Sequence, residues 1–461
     1  MPSATERTRL IEDFILDITV ADIPSQVRER ATDSLTDLVG VYLAGLAEPV
    51  SQHVFEYLKE SGQIRSDRGC ALIGLGQRAS LSGAALFHGT TAHALDYDDT
   101  AHPAYTHPSS HIFPTLFSLA TLTEASGEDL LTAYIVGMEV EGKLGACIRP
   151  GDRNLAMHPT AIMGPIGATA AGARLLGLSR HQLSMALGIA GSSAGGLRAN
   201  FGTMTKPLHS GRAAEGAVAA VLLARDGLTA AENILETRFG YFDAFRRTSQ
   251  NDLERDLEQI GQLGVTWELL LDYGIALKPF PSCGASHPAI TAALRVRERA
   301  AGGTIASMHV GTNELASTAL IHSNPTTPLQ AKFSMQYCVA SAMVDGQVRL
   351  GTFDEGMISR PEVRDLMSRM VVEIAPDLAD DAEHAARVTA TMSDGSVIEE
   401  FVPFAEGKPV SWFSKQTLES KFDDCASRVL APEQASTLFS WLQDVSHRAD
   451  LGELASLANL G

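Results

Sequence analysis

The spacing of apolar residues predicts helices over most of the chain. In the first segment apolar side chains recur every three or four positions, at Ile11, Phe14, Ile15 and Ile18, as on one face of a helix. Similar spacing continues to about residue 270, and almost no strand pattern occurs before that point. Helical spacing returns after residue 418. The pattern therefore predicts a mainly α protein.

A different pattern begins near residue 271. Short segments of alternating apolar and polar residues predict strands, and Ser393-Asp394-Gly395-Ser396 between two of them predicts a hairpin turn. Helices are expected over about 287–300 and 331–344. The predicted strands cover residues 307–315, 370–374, 388–392 and 397–404. We therefore predict a large all-helical domain of residues 1–270 and 405–461, and an inserted smaller α+β domain of residues 271–404 that acts as a lid.

Composition and charge narrow the functional classes. The 461 residues carry a formal net charge of -19, which argues against nucleic-acid binding because a phosphate backbone needs a basic surface. The sequence shows no apolar run of about 18 residues that would predict a membrane span, and the polar N-terminus shows no hydrophobic signal region. The five cysteines are scattered without a CxxC pair, so neither a disulfide framework nor a zinc knuckle is predicted. These features favour a cytoplasmic protein that acts on a small molecule.

Residues 88–114 are rich in titratable side chains, with three aspartates and five histidines. Carboxylates and histidines cluster where a site moves protons or holds a cation. We expect three of the histidines, His88, His93 and His111, to be structural, and Asp96 and His107 to be functional. The whole group comprises Asp96, Asp98, Asp99, His88, His93, His102, His107 and His111.

Two other interpretations of this segment are disfavoured. A metal site is an alternative, but three aspartates on one short run cannot all point the same way, and Pro108 between His107 and His111 disfavours a helical ligand pair. The run from Asp96 to Asp99 is also similar to the protonating motif of class II terpene cyclases. Those enzymes stabilise carbocations with aromatic faces, and this chain has only 3 Trp and 6% aromatic residues.

Two basic residues elsewhere are candidates for binding an anion. His158 precedes Pro159 and Thr160 at the expected start of a helix, where backbone N–H groups bind anions. Lys206 lies among small and apolar residues, and a lysine in a partly dry pocket would pair with a substrate carboxylate.

Four motifs together resemble the MmgE/PrpD family. They occur in the family's order and span nearly the whole chain. The motifs are Asp96-Tyr97-Asp98-Asp99-Thr100 with His102-Pro103 and Thr106-His107-Pro108; Thr205-Lys206-Pro207-Leu208-His209; Phe280-Pro281-Ser282-Cys283 with Ser286-His287; and Phe333-Ser334-Met335-Gln336-Tyr337.

The resemblance implies an enzyme that forms a carbanion beside a carboxylate, with no cofactor and no metal. The expected catalytic residues are Asp96, His107, His158, Lys206 and Tyr337. Either His107 or His158 is the acid or base, Asp96 orients a histidine, and Tyr337 donates a proton. Thr100, Lys206, Cys283 and His287 are expected to bind the substrate, with Lys206 and His287 on its carboxylates.

The predicted function is that of a cofactor-independent lyase acting on a small polycarboxylate of the 2-methylcitrate or aconitate type. Dehydration is favoured over decarboxylation, because decarboxylase-like relatives carry a histidine where this chain has Cys283. One alternative is an epimerase of an imino- or amino-dicarboxylate, which the presence of Tyr337 disfavours. A further alternative is a helical dimer that binds a polycarboxylate without converting it. The resemblance also implies a homodimer.

Overall fold

The chain is mainly α and forms two compact units. The computed structural model describes residues 6–65, 69–102, 104–148, 156–245, 253–272, 274–378 and 385–459, so Pro103 of the first motif lies outside the described residues. Unit 1 comprises Met1–Ala199, Met204–Leu277 and Lys408–Gly461, and unit 2 comprises Asn200–Thr203 and Lys278–Gly407. The role of residues 271–404 as a lid stays a prediction.

Helices make up most of the first 277 residues, as the apolar spacing predicts. Among the described residues of this part, five strands of two or three residues also occur, which are too short to produce an alternating pattern in the sequence. The helices are α1 (Glu6–Asp17), α2 (Ser25–Gly45), α3 (Pro49–Glu60), α4 (Leu81–His93), α5 (Ser109–Ala120), α6 (Gly127–Ile148), α7 (Pro159–Leu175), α8 (Arg180–Ser193), α9 (Thr205–Arg225), α10 (Tyr241–Phe245) and α11 (Leu253–Ile260). The strands are β1 (Ile64–Arg65), β2 (Cys70–Leu72), β3 (Gln77–Ala79), β4 (Thr100–Ala101) and β5 (Ile275–Ala276), paired in the orders β1-β3-β2 and β4-β5.

Unit 2 contains a four-stranded sheet in the order β7-β6-β8-β9. The pair β6–β7 is parallel, and the pairs β6–β8 and β8–β9 are antiparallel. Its elements are α12 (His287–Ala300), β6 (Ile305–Thr312), α13 (Glu314–Ala319), α14 (Pro328–Ala331), α15 (Met335–Asp345), α16 (Pro361–Ser368), β7 (Met370–Ile374), β8 (Ala386–Met392) and β9 (Val397–Val402). Alternate residues of β8 are buried, and they join side chains of α12 and α15 in one apolar core.

The predicted bounds in unit 2 agree with the structure in part: β8 begins two residues before the predicted strand 388–392, and β9 ends two residues before the end of the predicted strand 397–404. The hairpin between β8 and β9 and the helix over 287–300 are confirmed. The predicted strand 307–315 ends earlier, because the side chain of Asn313 accepts a hydrogen bond from the N–H of Ala316 and starts α13. The predicted helix 331–344 is divided between α14, which ends at Ala331, and α15, which begins at Met335. The division arises because the side chain of Ser334 accepts a hydrogen bond from the N–H of Tyr337 and so starts α15.

The chain returns to unit 1 with three further helices. These are α17 (Lys415–Ala426), α18 (Pro432–Gln443) and α19 (Glu453–Leu457). Helix α17 packs along α2, where the buried ammonium of Lys421 lies 2.6 Å from Asp37 and 4.0 Å from the ring centre of Tyr97. Within the described residues, no helix has both the length and the apolarity needed to cross a membrane.

Helices α4 and α9 lie closely side by side in unit 1. A Cβ atom at Gly89 of α4 would be 2.9 Å from the Cα atom of Gly211 of α9, so glycine permits the approach. His93 at the end of α4 also contacts Lys206 at the start of α9, so the two helices run antiparallel. This packing joins the ends of two segments that are more than 100 residues apart in sequence.

Candidate active site

The segment after α4 directs its three carboxylates to different partners. Asp96 has a backbone φ of 52°, a left-handed conformation that L residues rarely adopt but aspartate tolerates. Its carboxylate meets Lys206, Asp98 meets His93, and Asp99 accepts hydrogen bonds from the backbone and hydroxyl of Ser109. One oxygen each of Asp96 and Asp98 therefore lies within 4.8 Å of ring nitrogens of His93 and His107, whereas Asp99 is directed to Ser109, so the three side chains do not all point the same way.

Lys206 is buried between a carboxylate and an imidazole. Its Nζ donates to Oδ1 of Asp96 at 2.8 Å and to Nε2 of His93 at 3.1 Å. Nδ1 of His93 lies 2.9 Å from both carboxylate oxygens of Asp98. Because Nε2 accepts from an ammonium, the proton of neutral His93 belongs on Nδ1, where it is donated to Asp98. His93 is therefore a neutral ring whose orientation both neighbours fix.

His107 has its Nδ1 directed to the backbone. That atom lies 2.9 Å from the carbonyl oxygen of Asp99, which can only accept, so Nδ1 carries the proton. In the neutral ring Nε2 then has a lone pair, and Nε2 lies 3.8 Å from Oδ1 of Asp96. The ring centres of His107 and His93 are 4.2 Å apart. This tautomer suits His107 to accept a proton.

His158 forms a pair with a second histidine. It immediately precedes α7, and its Nδ1 lies 3.1 Å from Nδ1 of His209 on α9. Burial lowers the pKa of His158 well below its usual value, and the positive charge of Lys206 acts in the same direction. Burial also lowers the pKa of His209, to about 4. Both rings are therefore neutral near pH 7, and His158 lies within reach of His93 and His107.

The remaining predicted site residues are one residue of unit 1 and three residues of unit 2. Thr100 is half-buried in unit 1 and pairs through its backbone with Ala276. Three others belong to unit 2. Cys283 is half-buried, and its backbone N–H donates to the carbonyl of Lys332. His287 starts α12, and its Nε2 lies 3.1 Å from the carbonyl oxygen of Ser282.

Tyr337 is fully buried in the apolar core of unit 2. Its hydroxyl donates to the carbonyl oxygen of Thr352 at 2.6 Å. Burial raises the pKa of this hydroxyl to about 12. To donate a proton to a substrate, Tyr337 would have to break this hydrogen bond.

His93, His107 and His158 form a histidine cluster whose ring nitrogens are of a type that binds divalent cations. One ring nitrogen each of His93, His107 and His158 lie within 4.8 Å of one another. A second such group comprises His93, Asp96, Asp98 and His107. The ammonium of Lys206 contacts Nε2 of His93 and Oδ1 of Asp96, so a cation bound through either atom would compete with Lys206. We do not assign these residues as metal ligands.

Three residues of the cluster were not predicted from the sequence. His93 was expected to be structural, and Asp98 and His209 had no assigned role. His88 and His111 do have structural contacts, with the N–H of Ile73 and with Glu141 respectively. The sequence held a signal for each of the three: His209 follows Lys206 by three residues and so shares its face of a helix, and His93 and Asp98 belong to the titratable group of residues 88–114.

Comparisons with known proteins match both the N-terminal and the C-terminal part of the chain to the same family. Residues 9–254 match the MmgE/PrpD N-terminal domain, and residues 280–443 match the MmgE/PrpD C-terminal domain. Cis-aconitate decarboxylase of Homo sapiens is 30% identical over an alignment of 452 residues that covers 95% of this chain and 91% of the relative. Cis-aconitate decarboxylase of Aspergillus terreus is 28% identical over an alignment of 468 residues, gaps included, that covers 95% of this chain and 93% of the relative. The 2-methylcitrate dehydratase of Cupriavidus necator is 23% identical over an alignment of 380 residues that covers 75% of each chain.

Proposed function

Because the chain belongs to the MmgE/PrpD family, we propose that it is a cofactor-independent lyase for a small polycarboxylate, with its reaction centre at Asp96, His107, His158 and Lys206. The observation that carries this proposal is the buried ammonium of Lys206 beside neutral histidines. A buried ammonium attracts a substrate carboxylate, and neutral imidazoles exchange protons with carbon near neutral pH.

His107 and His158 have complementary roles in such a reaction. The tautomer of His107 leaves a lone pair on Nε2, so His107 acts as the base. His158 can carry its proton on Nε2 when Nδ1 accepts from His209, so His158 acts as the acid. Lys206 stabilises the negative charge that develops on the carboxylate next to the reacting carbon. Asp96 and His93 hold the ammonium in place.

Decarboxylation of an aconitate-type acid is the first reaction to test. Its support is the similarity to cis-aconitate decarboxylases over 95% of the chain, against 75% for the dehydratase. In this reaction the bond from carbon to the departing carboxylate breaks, CO2 leaves, and the electron pair on carbon takes a proton from His158.

Dehydration of a 2-methylcitrate-type acid is the second candidate, and the sequence favoured it. Its support is Cys283, which stands where decarboxylase-like relatives carry histidine. In this reaction His107 removes the proton next to a carboxylate, and His158 protonates the departing hydroxyl. The relatives described above are lyases by name, and they give the epimerase alternative no support. We retain Thr100, Cys283 and His287 as proposed substrate-binding residues, and a homodimer as the proposed assembly.

Proton NMR in D2O separates these reactions. Purified protein is incubated with cis-aconitate, 2-methylcitrate, citrate and iminodisuccinate in turn. A new olefinic product from cis-aconitate with release of CO2 supports decarboxylation, and a new olefinic product from 2-methylcitrate supports dehydration. Deuterium incorporation without a new carbon skeleton would instead indicate the epimerase. Binding in a thermal-shift assay with no conversion of any compound would overturn the lyase proposal in favour of a binding protein.

A further inference from the structure

His158 and His209 form a pair of buried imidazoles whose Nδ1 atoms face each other. These atoms are 3.1 Å apart, and the ring centres are 5.3 Å apart. Only one proton fits between two nitrogen atoms at this distance, so one ring donates and the other accepts. The pair therefore has two arrangements, which differ by the transfer of one proton between the rings.

A neutral imidazole acts as an acid only if it gains a proton elsewhere on the ring. His158 is neutral in the resting site because burial and Lys206 lower its pKa. If Nε2 of a neutral ring simply lost its proton, the product would be an imidazolate, which is too basic to form near neutral pH. Nδ1 must therefore receive a proton as Nε2 gives one up, and the group at Nδ1 is His209.

His209 lies directly beneath an exposed segment of unit 1. A Cβ atom at Gly196 would be 3.0 Å from the ring of His209, so the backbone at this position contacts the ring. The neighbouring residues Gly195 and Leu197 are exposed. The carbonyl of Gly196 also accepts a hydrogen bond from the backbone N–H of His158 at 2.8 Å. His209 therefore lies between His158 and the surface.

We propose that His209 completes a two-imidazole proton relay between solvent and Nε2 of His158. This role rests on the proposed lyase function. As CO2 leaves, the Nε2–H bond of His158 breaks and a C–H bond forms. The proton on Nδ1 of His209 moves to Nδ1 of His158, and water gives a proton to Nε2 of His209.

The relay resets after the product leaves. Water that enters the site protonates Nε2 of His158, the proton between the rings returns to Nδ1 of His209, and Nε2 of His209 releases its proton to solvent. The reset consumes no net proton. One solvent proton is therefore taken up for each CO2 released.

Two substitutions distinguish a relay from a structural role. His209→Ala removes the second ring, and we expect kcat to fall by about tenfold to a hundredfold with little change in KM. Added imidazole should restore kcat in a saturable manner. His209→Asn keeps an N–H group that can donate to Nδ1 of His158 but cannot pass a proton on, so it should be as slow as His209→Ala. The matched control is His181→Ala on the surface, which should retain wild-type kcat and not respond to imidazole.

A measurement without substrate keeps the two proposals separate. In protein labelled with ¹⁵N-histidine, NMR measures how fast the ring N–H of His158 exchanges with water. We expect slower exchange in His209→Asn than in the wild type. Equal exchange rates, or a His209→Ala variant that imidazole does not rescue, would overturn the relay. Slower exchange in a protein that converts no polycarboxylate would support the relay and overturn the lyase proposal.

Discussion

Replacing Lys206 with methionine removes the ammonium at the centre of the histidine cluster while nearly preserving the side-chain volume. The carboxylate of Asp96, which is 5% exposed, then loses its ion pair. His93 loses the proton donor at Nε2. The substitution therefore tests both the stability of unit 1 and the proposed binding of an anionic substrate.

The structure gives the magnitude of the stability effect. At an effective dielectric constant of about 20, opposite unit charges separated by 2.8 Å attract each other by about 6 kcal/mol. Desolvation of both groups offsets part of this attraction, and removal of one partner from a buried pair costs about 3–5 kcal/mol. We expect Lys206→Met to lower the free energy of unfolding by an amount in that range.

The double variant Lys206→Met/Asp96→Asn separates stability from function. Because Asp96→Asn removes the buried charge that has lost its contact with the ammonium, the double variant should recover most of the lost stability. It should remain inactive, because the ammonium that we propose to bind the substrate carboxylate is still absent. Thermal and urea unfolding give the stability, and the NMR assay with cis-aconitate and 2-methylcitrate gives the turnover.

Two results would refute this reasoning. If Lys206→Met unfolds at the wild-type temperature, the ion pair contributes nothing to the fold. If the double variant converts substrate at a rate near that of the wild type, Lys206 does not stabilise the reacting carboxylate. His181→Ala, which changes an exposed histidine, is the control for both assays.

Three further substitutions test other parts of the structure. Asp98→Asn removes the charge that fixes the proton on Nδ1 of His93, and we expect kcat/KM to fall about tenfold or more with the fold retained, as measured by steady-state kinetics. Tyr337→Phe removes the hydrogen bond to Thr352, and we expect a loss of about 1 kcal/mol in the free energy of unfolding with turnover unchanged. His88→Gln removes a histidine whose pKa burial lowers to about 3, so unfolding experiments should show less destabilisation by acid.

The sign of the His88 effect follows from proton linkage. The ordinary pKa of histidine is 6.5, so the unfolded chain takes up a proton first as the pH falls. Stability is therefore lost between about pH 6.5 and pH 3, by at most about 1.4 kcal/mol per pH unit for one proton. Gln can still accept the hydrogen bond that the N–H of Ile73 donates to His88. An unchanged pH profile in His88→Gln would contradict this assignment.

The other two variants have equally definite contrary outcomes. Full activity in Asp98→Asn would mean that the orientation of His93 does not matter for the reaction. A large loss of turnover in Tyr337→Phe, with the fold intact, would support the predicted role of Tyr337 as a proton donor.

Local patterns in the sequence determined the class of structure and the position of most elements in unit 2. The helix over 287–300 and the hairpin around Asp394 follow from apolar spacing and turn chemistry, which act over a few residues. Elsewhere the observed ends of elements differ from the predicted ones at capping residues. A side chain such as Asn313 ends a strand because it accepts a hydrogen bond from a backbone N–H and so starts a helix.

The sequence by itself also determined where titratable groups are concentrated, and it indicated Asp96, His107, His158 and Lys206 as candidates. Only the tertiary structure decided which of these groups meet. The role of His93 depends on Lys206, which lies 113 positions further along the chain. That contact exists because α4 and α9 pack antiparallel where Gly89 meets Gly211. Local periodicity fixes each helix and its buried face, but packing between distant helices determines which side chains become partners, and so sets the tautomers and pKa values within the cluster.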